Sequence, residues 1–147
     1  ADIDVLVSHR RRMFEEIDDF DAVKLDLMDA AFREWLTHKL PLGIYIGWVA
    51  VDAHGTVIAG VGLQIRYRIP GPNDPSDRQG YIGNVYTNAE CRGQGLAHRL
   101  METLIGWCRE QGIYSLTLNA APKAEPIYLS LGFNRQQNAM NMLLEAN

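Results

Sequence analysis

Between Tyr81 and Leu100 the chain reads YIGNVYTNAECRGQGLAHRL, and no other stretch limits the fold so tightly. The apolar and aromatic run from Tyr81 to Thr87 reads as a strand. Asn88 to Gly95 is a turn with two glycines. Leu96 to Gln111 then carries a stripe at Leu96, Leu100, Leu104 and Cys108, flanked by Met101, Ile105 and Trp107, which is helical spacing. Gly112 stands where a C-cap belongs. A helix N-terminus leaves backbone N–H groups unpaired and carries the positive end of the macrodipole, so it favours an anion. Gly93 and Gly95 let the backbone approach a phosphate closely, and Arg92 adds a planar cationic fork. The P-loop lysine and hydroxyl are missing, as are the third glycine and the acid of the dinucleotide pattern. The residues by themselves define either a phosphate-binding turn or a plain tight one.

Around this stretch the pattern alternates between helical and extended. Ile3, Leu6, Val7, Met13, Phe14 and Ile17 fit one helix, with Asp2 as its N-cap. The run Arg10, Arg11 and Arg12 precedes Glu15 and Glu16, with Arg11 and Arg12 at spacings of three and four, and reads as a solvated face with weak ion pairs, phosphate binding being a minor alternative. Val23 to Leu40 reads as a second helix, stopped by Pro41 and Gly43. Ile44 to Val51 and Thr56 to Tyr67 read as a hairpin about the turn Asp52–Gly55. Ile69 to Gly80, with three prolines and two glycines, reads as a loop. After the helix come a strand from Ile113 to Leu118, a short helix from Pro122 to Leu131, and a last strand from Asn138 to Leu144. The order α-α-β-β-β-α-β-α-β predicts an α/β (α+β) fold over residues 1–147 as one domain. Its sheet is single, mixed and mostly antiparallel, and the strand–helix–strand unit forms a parallel pair.

Size and composition restrict the functional classes. The 147 residues are 47% hydrophobic and 22% charged, which suits a folded domain with a real core. A net charge of −4 argues against a general nucleic-acid binder. Cys91 and Cys108 fit no metal spacing, so no metal is expected and both read as free thiols of a reducing compartment. With no bilayer-spanning run and no visible signal peptide, the expectation is a cytoplasmic protein without a membrane partner.

Two blocks resemble a known family. Arg92-x-x-Gly95-x-Ala97 matches the pyrophosphate signature of the GCN5-related N-acetyltransferases, Arg/Gln-x-x-Gly-x-Gly/Ala, and follows the strand segment Asn84–Thr87 at the right distance. Downstream, LTLNAAPKAEPIYLSLGF, from Leu116 to Phe133, is similar to the second block, which ends in Tyr-x-x-x-Gly-Phe, here Tyr128, Gly132 and Phe133. The resemblance covers Ile44 to the C-terminus well and the two leading helices loosely.

The resemblance implies that the strand before the loop splays from its parallel neighbour at a bulge. Acetyl-CoA would then lie in the gap as cosubstrate. Val85 and Thr87 would offer backbone groups to its pantetheine arm, with Tyr86 between them counted among the cofactor-binding residues and its side chain able to line the acceptor pocket. Arg92 and the amides of Gly93, Gln94, Gly95, Leu96 and Ala97 would hold the pyrophosphate. Asn119 would reach the pantetheine amides, and Tyr128 would serve the leaving thiolate as acid, since a phenol stays protonated at neutral pH. Otherwise Tyr128 merely packs the short helix onto the sheet. The implied reaction is direct attack by a primary amine on the thioester, with both substrates in one site. Glu15, Glu16, Tyr86, His54 and Asp52 are candidate bases, and none is singled out. Trp35, Trp48 and Trp107 read as core. Arg66 and Arg68 face either an anionic acceptor or solvent, and the loop Ile69–Gly80 reads as an acceptor lid.

This chain departs from the family pattern twice. The strand that usually precedes the first helix is absent or lies outside these residues, and Ala121 stands where many relatives carry a hydroxyl. Alternatives are a non-catalytic acyl-CoA-binding domain of the same fold and an unrelated phosphate-binding module. The acceptor, a small molecule or a peptide, stays open, and so does a homodimer.

Overall fold

In a computed structural model of the chain, residues 3–136 and 138–145 are described, which leaves the expected cap Asp2 outside them. Helices α1 (Ile3–Ile17) and α2 (Ala22–Lys39) come first, and then strands β1 (Tyr45–Val51), β2 (Val57–Tyr67) and β3 (Arg78–Thr87). A short 3-10 turn, Ala89–Cys91, leads to α3 (Leu96–Glu110), followed by β4 (Leu116–Leu118) and α4 (Glu125–Ser130). The sheet order is β1-β2-β3-β4. The first two pairings are antiparallel and β3–β4 is parallel. The architecture is the mixed α/β one that the sequence pattern predicts.

Alternation along β2 loads the two faces differently. Ala59, Val61 and Leu63 pack with Leu100, Met101, Leu104 and Cys108 of α3 and with Tyr128 of α4. The opposite face carries Gly60 and Gly62, whose missing side chains leave room for His9 of α1 and Tyr45 of β1. Tyr45 forms a second core with Leu6, Val7 and Leu36. All three tryptophans pack as the periodicity predicts. Trp48 meets Trp107 edge-on at 5.6 Å, and Trp35 meets Tyr45 at 5.4 Å. Asp21 caps α2, its Oδ1 accepting from the Val23 N–H at 2.9 Å.

The structure corrects four boundaries. The loop expected over 69–80 ends earlier, because β3 begins at Arg78, with Tyr67 opposite Arg78 and Arg66 opposite Gln79. Arg68 closes that loop: its N–H donates to the Asp77 carbonyl at 2.7 Å and its guanidinium pairs with Asp74 at 2.8 Å. The strand expected from Ile113 shrinks to Leu116–Leu118, since the Ile113 N–H donates to the Cys108 carbonyl at 2.9 Å and belongs to the end of α3. The helix expected from Pro122 starts at Glu125. The predicted strand Asn138–Leu144 is not formed: these residues lie outside regular structure, with Met140, Met142, Leu143 and Leu144 exposed. Apolar content marks a segment that suits a sheet, but a strand exists only through pairing, and no strand of the sheet pairs with this one.

Candidate active site

β3 and β4 share only three register pairs, Gly80–Leu116, Tyr81–Thr117 and Ile82–Leu118. Beyond Ile82, β3 continues to Thr87 with no partner on that side among the described residues. At the same point β3 bulges against β2. Gly60 opposes Tyr86 and Gly62 opposes Gly83, so Asn84 and Val85 together face the single residue Val61. One extra residue inverts the alternation of side chains. Ile82 and Val85 therefore both pack toward α3, while Asn84 and Tyr86 turn toward α1.

Asn84 pins the bulge. Its φ is +56°, the one positive value at a non-glycine position among the described residues. Asparagine tolerates this region better than most side chains. It is buried, accepting from Arg10 at 2.6 Å through Oδ1 and donating to Tyr45 Oη at 2.7 Å through Nδ2. Burial pushes the Tyr45 hydroxyl up from its ordinary pKa, against the Asn84 hydrogen bond and the Arg10 charge.

The glycine turn stands beside this open edge. Gly93 and Gly95 have φ of +81° and +75°, and an added Cβ at either would meet no atom within 4 Å. Gly95 occupies the N-cap of α3 without a side-chain cap. The first bond into the helix runs from the Arg99 N–H to the Gly95 carbonyl at 3.1 Å, so the amides from Gly93 to His98 donate to no backbone group among the described residues. Arg92 does not hang free: its Nε donates to the Thr87 carbonyl at 2.9 Å, and its guanidinium pairs with Glu16 of α1 at 2.7 Å.

A cleft of about 930 Å³ joins these parts. Of the residues singled out from sequence, it brings together Val85, Tyr86, Thr87, Arg92, Gly93, Gly95, Leu96, Ala97, Asn119 and Tyr128. Gln94 is exposed outside the lining. Asn119 Nδ2 donates to Tyr81 Oη at 3.1 Å. Tyr128 is buried among the α3-side core, its ring edge-on to Phe133 at 6.1 Å, and its hydroxyl has no hydrogen-bond partner among the described residues. Burial raises its pKa.

Among the candidate bases, Glu16 and Tyr86 line the cleft. Burial and the neighbouring Glu16 carboxylate raise the Tyr86 pKa. Glu15 pairs with Arg11 at 3.5 Å. Asp52 closes the hairpin turn, accepting from the His54 and Thr56 N–H groups at 2.8 and 3.0 Å, so Asp52 and His54 sit away from the cleft. No residue of the loop 69–77 lines it either. Arg10 and Asn84 do, and neither was named as a site residue from sequence. The Arg-rich turn of α1 was a visible signal for the first. The bulge that places the second depends on strand pairing, which leaves no local mark in sequence.

Fold and cleft together define a mixed α/β protein with a groove between parallel strands that pair over only three residues, closed at one end by a glycine turn and a helix N-terminus. Residues 8–133 match the Acetyltransferase (GNAT) family, and the chain belongs to that family. A GCN5-related N-acetyltransferase from Ralstonia eutropha JMP134 is 32% identical, with 97% of this chain and 92% of that one covered at a TM-score of 0.88. A predicted acetyltransferase from Clostridium acetobutylicum, solved with acetyl-CoA, shares the fold at a TM-score of 0.85, with 24% identity over 97% of this chain and 92% of that one. Glucosamine 6-phosphate N-acetyltransferase 1 of Oryza sativa subsp. japonica is 29% identical over 65 residues, and the match spans 44% of this chain and 39% of that enzyme.

Proposed function

We propose that the chain acts as a single-domain N-acetyltransferase that moves the acetyl group of acetyl-CoA to a primary amine by direct attack in a ternary complex. One observation carries this reading: a single cleft holds the unpaired edge of β3, the free amides at the start of α3, and Tyr128. The donor set suits the cosubstrate. Free amides at a helix N-terminus suit a diphosphate. An unpaired strand edge suits the amides of a pantetheine arm, as in strand addition.

In this reading the amides of Gly93, Gln94, Gly95, Leu96 and Ala97 bind the pyrophosphate. Arg92 holds the turn against α1 through Glu16. Backbone groups of Val85, Tyr86 and Thr87, with the Asn119 side chain, align the arm, and a β3 N–H polarises the thioester carbonyl. The thioester supplies an electrophilic carbon with a thiolate leaving group. The amine nitrogen forms the new C–N bond as the C–S bond breaks. The ammonium proton leaves to water, since Glu16, the one carboxylate in the lining among the described residues, is held in an ion pair with Arg92. Tyr128 faces the departing sulfur. A thiol has a pKa of about 8.5 and a phenol about 10, so full proton transfer from this buried phenol is uphill. Its contribution is a hydrogen bond that strengthens as charge develops on sulfur, and solvent then protonates the thiolate.

Release of CoA thiol from acetyl-CoA, followed with and without a panel of primary amines, tests the proposal. Amine-dependent acceleration with a matching acetylated product is expected. Binding of acetyl-CoA with no amine-dependent release would make this a sensing domain and overturn the transferase reading.

A further inference from the structure

The three arginines of α1 point three ways, as residues about 100° apart on a helix must. Arg11 turns to α2, where its Nη1 meets Asp26 at 2.8 Å and Asp29 at 2.7 Å. Arg12 reaches Asn88 Oδ1 at 3.4 Å. Arg10 enters the cleft, so the solvated face expected of this run holds for Arg12, holds only in part for Arg11, which is packed against α2, and fails for Arg10.

Arg10 is a half-buried cation without a counter-ion among the described residues. Its Nη1 donates to Asn84 Oδ1 at 2.6 Å, and its other N–H groups make no hydrogen bond among the described residues. The guanidinium carbon lies 5.0 Å from the Phe14 ring centroid and 5.2 Å from that of Phe32. No carboxylate pairs with it among the described residues. Burial lowers its pKa, and the Tyr45 and Tyr81 hydroxyls oppose that shift only in part. Removing a charge from water without pairing it is unfavourable, and a fork of five donors is shaped for a carboxylate or phosphate. Glu16, the one carboxylate of the lining among the described residues, is already taken by Arg92. A second cation stands on Tyr81, whose ring centroid is 3.8 Å from the Arg66 guanidinium carbon.

We infer that the acceptor amine carries an anionic group, a carboxylate or phosphate monoester, and that Arg10, positioned by Asn84, binds it. This rests on the transferase reading. The aromatic pair and the Asn84 hydrogen bond hold the fork before the acceptor arrives, so binding orders little of the protein. The anion supplies the missing counter-charge and sets the amine at the bulge, where β3 leaves its edge open.

Matched amines test this: L-phenylalanine against L-phenylalaninamide, and glucosamine 6-phosphate against glucosamine, each with saturating acetyl-CoA. Thiol release is followed for wild type, Arg10→Met and Arg10→Lys, after thermal melts establish that each variant folds. The wild type favours the anionic member of at least one pair by about tenfold or more in kcat/KM, and the responding pair separates carboxylate from phosphate. In Arg10→Met the preference falls to within about twofold while acetyl-CoA affinity holds, and Arg10→Lys restores part of it. Equal use of both members of both pairs by wild type overturns the inference, as does a preference that survives in Arg10→Met. Loss of acetyl-CoA binding in Arg10→Met would assign Arg10 to the cosubstrate's phosphates instead. If no amine accelerates thiol release, the transferase reading falls by itself. Calorimetric titration of L-phenylalanine and glucosamine 6-phosphate into the acetyl-CoA complex then decides the anion site: binding lost in Arg10→Met sustains it, and no binding to wild type ends it.

Discussion

Replacing Gly62 by alanine should destabilise this protein strongly, and the size of the effect follows from one contact. An ideal Cβ at Gly62 stands 1.8 Å from Tyr45 Oη and 2.4 Å from Cζ. The ring has nowhere to retreat: Tyr45 is 5% exposed and is boxed edge-on by Trp35 at 5.4 Å and Phe32 at 6.1 Å. Overpacking of this kind costs about 1–3 kcal/mol. Moving the ring also breaks the 2.7 Å bond from Asn84 Nδ2 and strands a buried donor, which costs roughly 1–3 kcal/mol more. The sum, about 4 kcal/mol, is a large share of the 5–15 kcal/mol typical of a domain (roughly). Gly83→Ala is the control, because its Cβ meets nothing nearer than Tyr81 Cε2 at 3.7 Å, and it should stay within about 0.5 kcal/mol of wild type. Urea unfolding of the three proteins measures both values. A Gly62→Ala protein within about 1 kcal/mol of wild type would refute the reasoning, since Tyr45 would then not be fixed over β2.

Gly106→Ala should act in the opposite direction: Gly106 sits within α3, its Cβ would meet nothing within 4 Å, and stability should rise by about 1 kcal/mol in urea titrations. Burial pushes the Cys108 thiol up to about 11 from 9.0, so its contribution is fully present below about pH 9 and is lost as pH rises through 11. The raised tyrosines, Tyr45, Tyr86 and Tyr128, add to the same alkaline loss at higher pH. Cys108→Ala should therefore flatten the urea-measured stability profile between pH 9 and 11, by about 2 kcal/mol across the window. Tyr128→Phe should lower kcat by about 10²-fold while acetyl-CoA affinity stays within about twofold, and any fall in wild-type kcat above pH 10 that comes from phenol ionisation should vanish in the variant.

What sequence reveals here depends on whether the cause is local. The turn before α3 is legible because Gly93 and Gly95 meet a local demand, a positive φ ahead of a helix, and the structure has them at +81° and +75°. The helices are legible because α1, α2 and α3 each bury one stripe. Boundaries set by pairing are not. Arg78 joins β3 because Arg68 ties the preceding loop shut on Asp74 and Asp77, contacts between residues with no periodic pattern. Residues 138–144 have the apolar content of a strand and no strand beside them, so the same reasoning overreaches there. In the cleft, Tyr128 and the loop residues follow from a two-block resemblance. Asn84 follows only from a bulge against β2, and the direction of Arg10 from where α1 crosses the sheet, helical spacing giving it Met13 and Phe14 where Arg11 has Glu15.

Calorimetric titration of acetyl-CoA into the wild type and into Gly95→Trp addresses the central claim most directly, with circular dichroism establishing that the variant folds. Gly95 has open space about its Cβ and supports no core contact, so the variant should keep its fold apart from local strain at the left-handed position. The account predicts micromolar binding, about −8 kcal/mol, by the wild type, and none by the folded variant, whose indole would fill the approach to the amides. Absence of binding to the folded wild type would contradict the account, leaving the family's fold without its cosubstrate.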